Sequence, residues 1–560
     1  MSQEAPSDPA ALPAPAPVTG TPPAAARSAM RSTLIVSAAT TASRFLGLVR
    51  EQLFAALLGA GFYADAFVVA FRIPNLLRDL FAEGALSAAF IPTFARVEKE
   101  EGPEAAHAVA NRVVGALLIV VGLLTLLGVL FADQIVWALA SGFFAEEGKA
   151  ELTALLARIM MPFLPALSLA AVMMGMLNAR RVFATPALAP ALFNLSAIAV
   201  GVFLKLAGYP ASTAVVGWSL GTLLGGFAQF GIQLPALRRQ GFRLRPRFTG
   251  LWRDPSLRRI ARLMAPATLG LAAIEANIFI NTQFASGQPG ANAWLNYAFR
   301  LMYLPIGIFG VAIATVTTST LARRAAEKDL PGVKAGLSQG LRHVAFLAVP
   351  STVGLVVLAE PIIRLVYQYG RFTPADTRAT ALALAGYALG LYAYSGVKVA
   401  APAFYALDRP RVPLVGSAAA VLTNLLLNLA FFRYLGYVGL AIGISLGAMV
   451  NLSILTLAFR RLTREHPAPP GQLAQLLKVA LAAALMGAAV WGGLEGLDAW
   501  LGPAAISAAA LPVRLLRALG GVGLGALVYA LACRLLRVEE LHEVLAALRR
   551  RRGKPAPAPG

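Results

Sequence analysis

The sequence is poor in the residues that build disulfides, metal sites and charged protein surfaces. One cysteine, Cys533, and four histidines occur among 560 residues, and only 14% of the residues are charged. A single cysteine excludes an internal disulfide and a cysteine-built metal site, and the histidines lack the spacing of metal ligands. Soluble domains carry roughly 25% charged residues. The chain is therefore predicted to be a membrane protein, and it lacks the GxxxxGK[ST] phosphate loop of an ATPase.

Long apolar segments fill most of the chain, which is 58% hydrophobic with a mean hydropathy of +0.68. Apolar runs of at least ~18 residues predict transmembrane helices, because backbone polar groups in lipid must be satisfied within the segment. The predicted fold is therefore all-α and polytopic, with about fourteen transmembrane helices by this length criterion. The predicted spans are 33–58, 64–94, 109–140, 151–177, 186–207, 211–237, 260–286, 291–322, 335–368, 377–406, 411–433, 437–460, 472–497 and 510–536.

Basic residues are concentrated in alternate loops. The segment 238–262 alone contains nine arginines, whereas the loops on the other side of the spans are nearly neutral. The positive-inside rule places the basic loops and both termini in the cytoplasm. The net charge of +22 is thereby explained by topology, and no nucleic-acid partner is expected.

An internal repeat predicts the domain organisation. The tripeptide AFR occurs at 70–72 and again at 298–300, and each copy leads to a basic loop. Six helices per repeat with the same topology predict two parallel lobes that rock about a central cavity. The expected units are a disordered Ala/Pro-rich cytoplasmic tail at 1–30, an N-lobe at 31–237 (helices 1–6), a basic cytoplasmic linker at 238–259, a C-lobe at 260–462 (helices 7–12), two extra helices at 463–540 and a basic cytoplasmic tail at 541–560.

Ionisable side chains occur inside the predicted spans, where each charge at mid-bilayer depth costs roughly 2.5–3.5 kcal/mol. Polar residues of the second span share one helical face, because residues seven and eleven apart fall on nearly the same side. This stripe consists of Asp65, Arg72, Asn75, Asp79 and Glu83. Charges on spans usually face a bundle interior or a water-filled cavity. We therefore expect a net positive cavity, formed by Arg44, Arg50, Arg72, Arg78 and Arg300.

Such a cavity indicates an anionic cargo, because the planar guanidinium binds phosphate or carboxylate oxygens with two hydrogen bonds. The alternative is structural: the arginines would pair with Glu51, Asp79 or Asp65 to hold helices together. A weaker pattern is a carboxylate, Glu275, with two amides four residues apart, Asn424 and Asn428. These oxygen ligands could bind a hard cation such as sodium, or the amides could simply hydrogen-bond two helices.

Several motifs together resemble the MurJ (MviN) family of lipid II flippases, within the multidrug/oligosaccharidyl-lipid/polysaccharide exporter superfamily. The motifs are SRFLGLVRE (43–51), ADAFVVAFRIPNLLRDLFAEGALSAAFIP (64–92), YAFRLMYLPIGIFGVAIAT (297–315), QYGRFTPAD (368–376) and KVAAPAFYALDRPRVP (398–413). The resemblance covers about 30 to 540. It implies a transporter, not an enzyme, that moves the undecaprenyl-diphosphate-linked peptidoglycan precursor to the outer leaflet by alternating access for cell wall synthesis.

The resemblance also implies site residues by motif position. Family positions implicated in cargo handling correspond to Ser43, Arg44, Arg50, Asp65, Asn75, Arg78, Glu83 and Arg300. Glu51 stands where an aspartate is common, and Asp79 stands where some members carry a second arginine, so no cargo role is assigned to Asp79. Sodium at Glu275, Asn424 and Asn428 is the one coupling ion considered, with no other cofactor. A monomer is expected, with membrane lipids and cell-wall synthesis proteins as candidate partners.

Three other function classes stay open at this point. The nearest is a flippase for another polyprenyl-diphosphate-linked oligosaccharide. A membrane enzyme acting on polyprenyl phosphates would need catalytic carboxylates or histidines near a membrane face, and the cytoplasmic loops show no paired-aspartate motif. An inactive transporter fold that serves as a scaffold would have no need of the charge stripe.

Overall fold

A computed structural model of the chain describes residues 24–80, 84–465, 471–508, 510–543 and 546. This part of the chain is built of helices and contains no strand. The first ten helices are α1 (Ala24–Leu58), α2 (Phe62–Arg78), α3 (Gly84–Glu101), α4 (Pro103–Leu130), α5 (Ala132–Ala140), α6 (Lys149–Met160), α7 (Phe163–Ala179), α8 (Ala184–Leu206), α9 (Ala211–Gly231) and α10 (Gln233–Arg239).

Eleven further helices follow. They are α11 (Pro255–Ser286), α12 (Ala291–Pro305), α13 (Val311–Ala326), α14 (Leu330–Val357), α15 (Ala359–Tyr367), α16 (Pro374–Ala388), α17 (Leu391–Ala406), α18 (Arg411–Leu462), α19 (Gln472–Ala508), α20 (Leu511–Leu515) and α21 (Gly521–Leu535). Wider helical turns at Ile306–Gly310 and Leu516–Gly520 join α12 to α13 and α20 to α21.

Ten helical segments of the described residues are long and apolar enough to cross a membrane. The all-α polytopic fold is thus confirmed, whereas the count of fourteen spans stays a prediction. The first, second and seventh predicted spans are helical but are not among the ten, and the second includes residues 81–83, outside the described part. The eleventh and twelfth are counted as one segment, Arg411–Leu462, although Gly436 at φ 53° breaks its helical course between them.

Helix starts follow local side-chain chemistry. Asp254 accepts hydrogen bonds from the backbone N–H groups of Ser256 and Leu257 and so caps α11, which satisfies donors that the first helical turn leaves unpaired. Thr373 and Asp376 cap α16 reciprocally, as Ser/Thr and an acidic residue three positions later are suited to do. Helix α1 begins at Ala24, inside the segment predicted as a disordered tail, because AAARSAMR contains strong helix formers. Residues 1–23 of that tail lie outside the described residues.

The helices form two groups that meet along a central seam. Helices α1–α10, the N-terminal bundle, pack chiefly on one another, and α12–α18, the C-terminal bundle, do the same. Helix α11 packs on both groups, against α3 and α5 on one side and α18 on the other, while α19 and α21 pack together beside α14. The segment 240–254 between α10 and α11 lies on α4, where the Arg247 N–H donates to the Asn111 carbonyl at 3.0 Å. A cavity at the seam is the place where both bundles contribute side chains.

Candidate binding cavity between the two bundles

The cavity at the seam has a volume of about 570 Å³. Its wall follows α1 from Arg44 to Phe54 and α12 from Asn292 to Leu304, with further residues from α2 and α11. Much of the lining is apolar or aromatic, as in most ligand pockets. Its charged lining residues are four arginines and three carboxylates: Arg44, Arg50, Arg72, Arg300, Glu51, Asp79 and Glu275.

Glu51 lies between two of these arginines. Its Oε1 is 2.6 Å from Arg50 Nη2 on the same helix and 3.1 Å from Arg300 Nη2 on α12. The Glu51 side chain is 9% exposed and that of Arg300 is 40% exposed. The carboxylate therefore balances a cation from each bundle at the cavity wall. The sequence suggested Arg50 as a partner of Glu51, but not Arg300.

Two cavity arginines have no carboxylate partner among the described residues. Arg72 donates a hydrogen bond to the hydroxyl of Thr282 on α11. The exposed Arg44 guanidinium lies beside Gly307, where an added Cβ would sit 3.5 Å from Arg44 Nη1. An arginine without an ion pair keeps its charge and its fork of N–H donors for a ligand. These two residues are therefore the best candidates for contacts with an anion.

The remaining predicted cargo residues divide into those on the cavity and those away from it. Asn75 lines the cavity. Ser43 does not, and its carbonyl accepts a hydrogen bond from Asn194 at 2.9 Å. Arg78 is also absent from the lining and pairs with Asp79 at 2.7 Å. Glu83 lies outside the described residues. A cargo role for all of these stays a prediction.

Asp65 is fully buried outside the cavity lining. Its carboxylate pairs with Lys149 at 3.0 Å and accepts the backbone N–H groups of Gly290 at 2.7 Å and Ala293 at 2.9 Å. The suggested pairing of Asp65 with Arg72 does not occur, because Lys149, also fully buried, takes that place. Asp65 thus joins the N-terminal bundle to the first turn of α12, where helix N–H groups favour a negative charge.

Other contacts close the same face of the molecule. The Tyr297 hydroxyl donates to the Gly59 carbonyl at 2.7 Å, and the Arg371 N–H donates to the Ala56 carbonyl at 3.0 Å. The Gly142 N–H donates to the Ser286 hydroxyl at 3.1 Å. These contacts join the N-terminal bundle to the C-terminal bundle or to α11 near the nearly neutral loops, and we call this side the closed face. The cavity extends from the closed face towards Arg44 and Gly307.

The three residues of the predicted cation site lie in two different places. Glu275 lines the cavity, whereas Asn424 and Asn428 are buried where α18 packs on α11. There the Asn424 amide donates to Asn277 and the Asn428 amide donates to Asn281 at 3.1 Å. These four residues are called the asparagine seam. The oxygens of Asn424 and Asn428 have no hydrogen-bond donor among the described residues, and both face Gly443.

Some residues of these sites were missed from the sequence. Asn277 and Asn281 are four residues apart, the same spacing as Asn424 and Asn428. The pairing of these two sets of asparagines could therefore have been predicted from the sequence. Lys149 gave no such signal, because a lysine between two apolar runs normally lies in solvent. No group of three or more histidine, cysteine, aspartate or glutamate residues that could hold a metal occurs in the part of the chain that the structure describes.

Comparison with known proteins gives one consistent answer. The family model for lipid II flippase MurJ matches residues 54–503. A probable lipid II flippase MurJ from Vibrio cholerae is 34% identical over 92% of this chain and 98% of its own length. The lipid II flippase MurJ of Burkholderia cenocepacia is 36% identical over 78% of this chain and 85% of its own length.

Solved structures agree at the level of the fold. A lipid II flippase MurJ in an inward closed conformation matches with a TM-score of 0.74 at 24% identity, covering 90% of this chain and 98% of that one. An inward-facing multidrug resistance MATE transporter of the MOP superfamily matches with a TM-score of 0.61 at 18% identity, covering 77% and 98%. On the family model and the relatives' identities, the chain belongs to the MurJ family of lipid II flippases.

Proposed function

We propose that this chain moves lipid II, the undecaprenyl-diphosphate-linked peptidoglycan precursor, from the inner to the outer leaflet of the cytoplasmic membrane. The family is one of transporters and not of enzymes. The observation that carries the proposal is the cavity between the bundles, because two of its arginines, Arg44 and Arg72, lack a carboxylate partner within the described residues. A polyprenyl diphosphate supplies the oxyanions that such arginines bind.

The cargo's diphosphate would contact Arg44 and Arg72 first and then compete with Glu51 for Arg50 and Arg300. Coulombic attraction between unit charges at 4 Å is about 4 kcal/mol at an effective dielectric constant of 20. Because a diphosphate carries more than one negative charge, it would attract the two cations more strongly than Glu51 does and would replace that carboxylate as their partner. Because Glu51 holds one cation from each bundle, that exchange would change a contact between the bundles.

Transport would proceed by alternating access. The closed face is held by contacts between backbone groups and side chains of both bundles, and these must separate for cargo to leave there. With no ATPase motif in the sequence, the driving force would come from a gradient. One charge crossing 100 mV is worth about 2.3 kcal/mol, and an inside-negative potential favours outward movement of an anion.

The chain is a multi-pass membrane protein, as its family and the ten apolar helices found among the described residues indicate. The positive-inside rule supports the finer proposal that the basic loops and both termini are cytoplasmic. The closed face would then be periplasmic. A monomer stays our expectation for the oligomeric state.

Sodium binding is a separate proposal, centred on the asparagine seam. Two buried amide oxygens, those of Asn424 and Asn428, face the same glycine without donors of their own, and such oxygens suit a hard cation. Glu275 lines the cavity, so it would not join these two oxygens as a third ligand of the ion. Sodium would supply only positive charge there, beside the two amide oxygens that face Gly443.

The test of the main proposal is complementation in cells whose own lipid II flippase can be depleted. Wild type is expected to restore growth and outer-leaflet lipid II, whereas Arg44→Ala and Arg72→Ala are expected to fail at equal membrane expression. The control is Arg96→Ala, because Arg96 forms an exposed ion pair with Glu100 on α3. If wild type is well expressed and fails, the cargo is another polyprenyl-linked glycan. Rescue by both cavity variants would make these arginines structural.

A further inference from the structure

Asn292 on α12 is buried on the wall of the cavity and has no hydrogen-bond partner among the described residues. Asn292 is 1% exposed, and neither its Nδ2 nor its Oδ1 forms a hydrogen bond with any described residue. Almost all buried polar side chains in native proteins are hydrogen-bonded, because an unpaired buried amide opposes folding. Asn292 lines the cavity. A ligand in the cavity is therefore its natural partner.

The position of Asn292 separates it from the charged centre. Helix α12 carries Asn292, Asn296 and Arg300 at intervals of four residues, which places them along one face, and all three line the cavity. Arg300 lies at the Glu51 ion pair. Asn292 lies two turns away at the closed face, where its neighbour Ala293 donates to Asp65. This face of α12 therefore runs from the charged Arg300 to the uncharged Asn292 at the closed face.

A second uncharged group without a hydrogen-bond partner among the described residues belongs to Tyr367. Tyr367 is fully buried and lines the cavity, and its hydroxyl bonds to no described residue. Its ring centroid is 4.8 Å from that of Tyr297, whose hydroxyl donates to Gly59 at the closed face. An amide and a phenol offer donors and acceptors without charge. They match hydroxyl and amide groups better than they match a diphosphate, which the arginines attract.

We propose that Asn292, together with the Tyr367 hydroxyl, binds the uncharged hydroxyl and amide groups of the cargo's sugar–peptide head. The inference rests on the proposed flippase function and deepens it by assigning the two ends of the cavity to two parts of the cargo. The arginines hold the diphosphate, which every polyprenyl-diphosphate-linked cargo shares. Asn292 contacts the sugar–peptide head. Because the head differs between cargoes, Asn292 is a residue that determines specificity.

The experiment compares two ligands on the purified full-length chain: lipid II and undecaprenyl diphosphate, which lacks the head. Asn292→Ala is expected to weaken lipid II binding roughly tenfold, the change that one or two lost hydrogen bonds give. Its binding of undecaprenyl diphosphate should be unchanged. Asn451→Ala is the matched control, because the Asn451 oxygen is also buried and unpartnered among the described residues, but Asn451 does not line the cavity.

Folding is checked on the same samples. Removing an unpaired buried amide leaves the melting temperature of the ligand-free protein unchanged or higher, and Asn292→Leu, which keeps the side-chain size, should reproduce the selective loss. The proposal is overturned if the Asn292 variants bind lipid II as wild type does, or if both ligands weaken equally. Wild type that binds neither ligand would instead refute the flippase proposal itself. Equal wild-type affinity for the two ligands would refute head recognition alone.

Discussion

Glu51 of α1 and Arg300 of α12 form a 3.1 Å ion pair that joins the two bundles across the cavity wall. The same carboxylate oxygen is 2.6 Å from Arg50. One acidic side chain thus balances two cations, and it does so at the place where an anionic cargo would bind. A carboxylate in this position would compete with such a cargo and would also allow the cargo to be released.

This competition predicts the effect of Glu51→Gln. The substitution keeps the shape of the side chain but frees Arg50 and Arg300 from their carboxylate, so lipid II binding is expected to become several-fold tighter. Flipping in reconstituted vesicles is expected to slow, because the released arginines hold the diphosphate longer. Glu275→Gln is the matched control, since Glu275 also lines the cavity but forms no ion pair within the described residues. Equal effects of the two variants would assign the result to net charge alone.

Sequence reasoning found the cavity's arginines because charge inside an apolar span is conspicuous. Of the five arginines expected on the cavity, Arg44, Arg50, Arg72 and Arg300 line it, whereas Arg78 does not. Helical periodicity placed Arg72 and Asn75 on one stripe, and both do face the cavity. Pairing was harder to predict, because it depends on which helices meet. The Glu51–Arg300 contact joins residues 249 positions apart in the numbering.

Asp65 illustrates what periodicity cannot resolve. It shares the stripe of Arg72 by spacing, yet its partners are Lys149 in another helix and the backbone N–H groups of Gly290 and Ala293 at the start of α12. Backbone donors carry no sequence signature, and a buried lysine cannot be distinguished from a solvated one without the fold. The two-bundle packing was foreseeable from the repeat, whereas the contacts on the closed face were not.

The closed face predicts a phenotype for Asp65→Asn. The amide loses the ion pair with Lys149 and can accept fewer hydrogen bonds from α12, and breaking a buried pair costs about 3–5 kcal/mol. The closed face should therefore open more often. The measurement is labelling of Leu295→Cys, in a Cys533→Ala background, by a membrane-impermeant thiol reagent added from the periplasmic side. Faster labelling in Asp65→Asn than in the parent is expected.

The control for this labelling is Asp133→Asn. Asp133 pairs with Arg158 at 2.6 Å on the exposed surface of the same bundle, where an ion pair contributes about 0–1 kcal/mol. Its loss should leave labelling unchanged. Unchanged labelling in Asp65→Asn as well would mean that the other contacts of the closed face suffice to hold it shut.

The asparagine seam predicts a sodium effect on stability. If sodium binds the folded protein, its melting temperature should rise with sodium at constant ionic strength, by an amount that follows RT ln(1 + [Na⁺]/Kd). Potassium provides the comparison. Asn424→Leu and Asn428→Leu should abolish the rise, while Asn451→Leu should retain it, because Asn451 is not part of the seam. A rise of equal size with potassium and sodium would contradict a selective site.

Two glycines of α4 give a matched test of how segment 240–254 is held. A Cβ at Gly115 would overlap the Arg247 carbonyl, whereas a Cβ at Gly122 meets nothing within 4 Å. Gly115→Ala is therefore expected to displace the segment and to destabilise the protein by about 1–3 kcal/mol, as overpacking does. Gly122→Ala should change stability by less than ~1 kcal/mol, and in the favourable direction, because alanine is the better helix former.

The same pair tests whether the segment must stay on α4 during transport. Asp254 pairs with Arg112 of α4 and also caps α11, so the segment connects the N-terminal bundle to the helix that packs on both bundles. Displacing it should loosen the start of α11 and slow flipping in reconstituted vesicles, even at a temperature where Gly115→Ala is fully folded. Normal flipping by folded Gly115→Ala would show that this segment is only a tether, and that α11 is positioned by its contacts with α3 and α18.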